Sequence, residues 1–161
     1  IPPPRNHMKV MPITARSAFC LLALPVLLAF APASKAGSAS WSTTRVSPAI
    51  SRGGADMAVE YFPADASARP ASSATISRVH ASISYASRSV VQTRLCWNGT
   101  ARCVALKGNA INTNAFNGLS ADKPMYLVHV AQGGDPLPAP VFVQGSVVVW
   151  FTPAAPYSPT P

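Results

Sequence analysis

The sequence predicts an all-β protein, a small antiparallel β-sandwich or partly open barrel that follows a cleaved signal peptide. Three observations predict this. Stretches with a two-residue period recur after residue 36, and the segments between them are rich in Gly, Pro and Asn. No stretch of ten or more residues in that region carries a helical period.

The beginning of the chain reads as an export leader. Ile1 is not a start residue, and Met8 or Met11 is the expected start, so residues 1–36 are a signal peptide with an over-extended beginning. Lys9 and Arg16 make a positive segment, and Ala18 to Ala31 (AFCLLALPVLLAFA) is an apolar run. Ser34-Lys35-Ala36 then puts small residues at the positions a signal peptidase reads. Cleavage is expected after Ala36, with Ala33 the near alternative. The run is shorter than the roughly 20 apolar residues of a membrane-spanning helix and contains Pro25, so no stable membrane anchor is expected. Cys20 follows Phe19 early in the run, which is not where a lipidated cysteine lies.

Removing the leader changes the charge. The whole chain has 13 Lys plus Arg against 5 Asp plus Glu, a formal charge of +8. Beyond Ala36, nine basic residues face five acidic ones, a net charge of +4. No basic run remains there, so nucleic acid is not an expected partner.

Ser40–Val46 and Met57–Phe62 are short candidate strands. Val79, Ala81, Ile83 and Tyr85 alternate with Arg78, His80, Ser82 and Ser84, which marks a strand with one buried face. Val90–Trp97 is rich in β-branched and aromatic residues, and Asn98-Gly99 predicts a hairpin because both residues tolerate positive φ. Arg102–Lys107 is the returning strand, and Gly108–Ser120 reads as a polar loop. Met125–Val130 is a further strand. Gly133–Pro140 must be a connection, since its prolines cannot donate ladder hydrogen bonds. Val141–Val143 and Ser146–Phe151 read as one last strand interrupted by a bulge at Gly145. The expected organisation is a single domain over 37–151 and a proline-rich, disordered tail over 152–161.

Cys96 and Cys103 are the only cysteines beyond the leader. A four-residue loop over Asn98–Ala101 sets Trp97 opposite Arg102 and Cys96 opposite Cys103, within the reach of a disulfide. An oxidising compartment favours the bond. The competing reading is a redox-active or metal-binding pair, but the spacing is not CxxC and no nearby His completes a zinc site.

Groups that could converge for catalysis are few. His80 falls on a polar strand face and His129 on the face with Met125 and Leu127, and both read as strand decoration. There is no G-x-S-x-G elbow, no phosphate-binding glycine loop and no carboxylate pair of fixed spacing. No catalytic, cofactor-binding or metal-binding residue is assigned.

Several features in fixed order resemble the flagellar protein FlhE family. Ala36-Gly37 precedes Ser40-Trp41, and Arg78-Val79 runs through to Tyr85. Arg94-Leu95-Cys96 is followed by Arg102-Cys103-Val104-Ala105-Leu106. Thr113, Phe116 and Gly118-Leu119 come next, then Lys123-Pro124, Gly133-Gly134, Leu137-Pro138 and a valine-rich last strand. The resemblance covers Ser40 to Phe151 and is closest from Arg78 onward. It implies a non-enzymatic periplasmic accessory protein of flagellum assembly, chaperone-like or regulating the export apparatus, with links to swarming and proton leakage. The implied partners are flagellar rod, hook or export-apparatus proteins.

For partner binding, Trp97 flanked by Arg94 and Arg102 forms a candidate tip, because Trp and Arg are common interface anchors. The alternative for Trp97 is packing beside the disulfide. A sandwich that binds sugar or cell wall is the alternative function, with Tyr85, Trp97 and Trp150 as stacking surfaces.

Overall fold

The computed structural model of the chain describes residues 37–153. The expected leader, the expected cleavage site and most of the proline-rich segment therefore lie outside the described residues. Where the two-residue alternation is strongest, strands form: β1 (Ala39–Val46), β2 (Asp56–Tyr61), β3 (Thr75–Ser84) and β4 (Val91–Trp97). They continue with β5 (Arg102–Ala105), β6 (Ala110–Thr113), β7 (Met125–Ala131) and β8 (Gln144–Thr152). One sheet has the order β1-β8-β3-β6 and the other β2-β7-β4-β5, all antiparallel. The two sheets do not close into a barrel, so the fold is an open β-sandwich.

Inward rows from both sheets make the core. Val79, Ala81, Val147 and Val149 come from one sheet, and Tyr61, Leu95, Met125 and Leu127 from the other; all are fully buried. Small side chains on one side, Ala and Val, face longer side chains on the other, which lets the layers interdigitate. Along the β1 and β2 edge, Trp41 meets Phe62 edge-on at 6.2 Å, and the Arg69 guanidinium covers Phe62 at 5.1 Å. These contacts close that side of the sandwich.

The hairpin is as the spacing predicts. Trp97 pairs with Arg102, and Cys96 pairs with Cys103 and is joined to it by a disulfide. Asn98 and Gly99 take φ of 49° and 110°, the left-handed region that the tip needs.

Four expectations are corrected. The segment read as a polar loop over 108–120 contains β6, an edge strand paired to β3 through Val79–Thr113 and Ala81–Ile111. The last strand has no bulge at Gly145, and β8 runs unbroken through it to Thr152, the first residue assigned to the tail. Gly145 is required for a different reason: a Cβ there would collide with the Tyr61 hydroxyl and with Leu127 of the opposite sheet. The irregularity lies in β3, where the register shifts between Ile76 and Arg78. It changes the parity of the strand, so that both Ile76 and Val79 face inward. Finally, His129 is not strand decoration but a fully buried core residue.

Candidate functional site

The side chains assigned to the hairpin tip do not share one surface. Trp97 continues the inward row of Val91, Thr93 and Leu95. It is half-buried against the core, and its Nε1–H donates to the Ser120 carbonyl at 3.0 Å. Arg102 is its exposed cross-strand neighbour. Arg94 projects from the opposite face of β4, where it pairs with Asp56 at 2.7 Å and so spans β7. Its cross-strand neighbour Val128 is fully buried although it faces away from the core. The structure therefore joins Trp97 with Arg102 and separates both from Arg94.

The aromatic residues considered for sugar stacking are also engaged. The Tyr85 hydroxyl accepts the Val91 N–H at 3.1 Å. The Trp150 ring carries the Arg78 guanidinium 4.2 Å above it. Trp97 is turned inward, and Arg78 covers one face of Trp150.

The most developed surface lies at the other end of β4, and its origin is a mismatch of strand length. β4 has seven residues and β5 four, so β5 pairs only with Arg94–Trp97. Past that point a single bond continues the pairing, from the Leu106 N–H to the Thr93 carbonyl at 2.9 Å. The edge of β4 over Val91–Thr93 has no neighbouring strand. A groove of about 500 Å³ opens there, lined by Tyr85, Val90, Val91, Thr93, Leu106 and Asn109, with Arg94 at its margin. Tyr85 also borders a second depression of about 440 Å³, lined by Val46, Ala86, Phe142 and Gln144.

Apolar exposure is concentrated on these two depressions. Val46 (59%), Val90 (57%) and Phe142 (53%) are the exposed large hydrophobic residues among those described, and all three line one or the other. The sequence holds a signal for this. Phe142 sits between Val141 and Val143, which are both fully buried, so alternation turns it outward.

Behind the groove wall, Thr93 Oγ1 lies 3.0 Å from His129 Nδ1. A hydroxyl–imidazole pair serves catalysis when a third group orients the base. Here Nε2 has no partner among the described residues. Burial pushes the imidazole down to about 4, so it is neutral, and a poor base, at neutral pH. Among the described residues there is also no group of three or more His, Cys, Asp or Glu side chains placed to hold a metal ion. What the arrangement offers a neighbour is shape, exposed apolar side chains and main-chain groups at a strand edge.

Comparison with known proteins adds the following. A family model described as flagellar protein FlhE matches residues 47–151. A solved crystal structure of FlhE superposes with a TM-score of 0.60 and 22% sequence identity, over 73% of this chain and 99% of that one. No curated protein matches the sequence.

Proposed function

Since the chain belongs to the flagellar protein FlhE family, we propose that it is a non-enzymatic, chaperone-like accessory protein of flagellum assembly acting in the periplasm. In this reading it holds an extended, partly apolar segment of an exported rod or hook subunit. The observation that carries the proposal is the pair of depressions that share Tyr85: one beside the length of β4 that extends past β5, with Val90 exposed, and the other with Val46 and Phe142 exposed. An extended segment adds to a free strand edge through main-chain hydrogen bonds, and alternate side chains settle in flanking apolar pockets. The Cys96–Cys103 disulfide supports the extracytoplasmic address.

The test is photo-crosslinking in living cells, with a photoreactive residue at position 142 and, as control, at Ser42 on the outer face of β1. Capture of rod or hook subunits from position 142 and not from 42, weakened by Val46→Ser, is the expected result. Absence of any flagellar component, or equal capture from both positions, overturns the proposal.

A further inference from the structure

On the outer face of the other sheet, Arg78 stands directly opposite Trp150 in the β3–β8 pairing, with its guanidinium carbon 4.2 Å from the ring centroid. Stacking uses the flat face of the guanidinium and leaves its N–H donors, which lie in the plane, unspent. Two of the other arginines spend theirs: Arg94 donates to Asp56, and Arg69, stacked on Phe62, still donates to the Pro63 carbonyl. Arg78 has no ion-pair or hydrogen-bond partner among the described residues. Four of the five acids are engaged elsewhere, Asp56 with Arg94, Glu60 with Tyr126, Asp65 with the Ser67 N–H and Asp122 with Ser120 and Lys123.

The register shift in β3 provides the second observation. The extra residue is Ser77, and because of it Ser77 and Arg78 line the same shallow depression, of about 270 Å³. Bulges commonly re-aim a side chain in this way. Ser38 and Asn114 complete the rim beside Trp150. None of the Ser38, Ser77 and Asn114 side chains has a hydrogen-bond partner among the described residues. The result is a planar cation held in place by an indole, with its donor edge open and two hydroxyls and an amide around it.

We propose that this depression binds a carboxylate presented by a peptide. The Arg78 fork would take both oxygens, the geometry that arginine shares with carboxylates and that a lysine ammonium lacks. Trp150 fixes the plane of the fork, and the rim side chains supply further hydrogen bonds. The site lies in the sheet that does not carry the open β4 edge, and it does not depend on the function proposed above.

The test is an NMR titration of the purified protein, following the Trp150 indole N–H and the Arg78 Nε–H. Three probes are used: acetyl-Gly-Ala-Ala with a free C-terminus, the same peptide amidated, and amidated acetyl-Gly-Glu-Ala. Saturable shifts of both signals with an acid-bearing peptide, and none with the neutral amide, are expected. The free-terminus and Glu peptides tell a terminal carboxylate from a side-chain one. Arg78→Gln should weaken binding about tenfold or more, with Arg78→Lys also weakened and both spectra otherwise unchanged. No saturable shift with either acid-bearing peptide, an equal response to the neutral amide, or undiminished binding by Arg78→Gln overturns the proposal.

Discussion

Lowering the pH from 7 to 4 should cost the domain much of its stability through His129 alone. The imidazole is fully buried between the sheets, with one nitrogen on Thr93 and the other without a partner. Burial holds its pKa at about 4, against 6.5 for a free histidine. The unfolded chain therefore takes up a proton first as the pH falls. The contribution is complete above about pH 6.5, is lost progressively down to about pH 4, and changes no further below that. A displacement of this size corresponds to about 3 kcal/mol, a large share of the roughly 5–15 kcal/mol that typically holds a domain together. The assay is urea unfolding at several pH values, for the natural protein and for a His129→Leu, Thr93→Val double variant that removes the titrating ring without stranding the hydroxyl. The difference between their pH profiles isolates His129 from the carboxylates. An NMR titration of the ring reports the same quantity directly. A midpoint near 6.5, or parallel pH profiles for the two proteins, would refute the reasoning.

Other perturbations follow from the packing. Trp97→Ala should destabilise the domain by about 2–3 kcal/mol in urea unfolding, because the ring packs on the core; an unchanged midpoint would return Trp97 to the list of free interface anchors. Removing the disulfide with Cys96→Ala and Cys103→Ala should cost about 2–2.5 kcal/mol, the chain-entropy value for so short a loop, again read by urea unfolding. Gly145→Ala should cost about 1–3 kcal/mol, from forcing a methyl against Tyr61 and Leu127, visible as a lowered melting temperature.

Period-two alternation made most strands legible, and the Cys96–Cys103 pairing was legible because hairpin loop length fixes which residues face each other. β6 escaped because it is four residues long and mostly polar, with Ile111 as its one large apolar side chain. Gly145 was misread because a glycine in a strand has two common causes, a bulge or a close approach, and only the opposite sheet distinguishes them. His129 was placed on the correct face, but its burial depends on the second sheet above it. Trp97, Arg94 and Arg102 are close in sequence, whereas alternation puts Arg94 on the other face of β4. The groove is a tertiary property, since it arises where β5 ends before β4 does. Only outward-turned Phe142 hinted at it.

The sheet order also governs when this protein can fold. β8 is interior to its sheet, with β1 on one side and β3 on the other. Thr44 and Ser146, which share a hydrogen bond across β1 and β8, are 102 positions apart in the chain. Contacts of such long range close late and slowly, because the loop between them must be ordered before they form. Until residues 144–152 arrive, neither β1 nor β3 has the strand that joins them. A chain proposed to work in the periplasm gains from this, because the sequence that crosses the membrane first cannot complete its sheet prematurely.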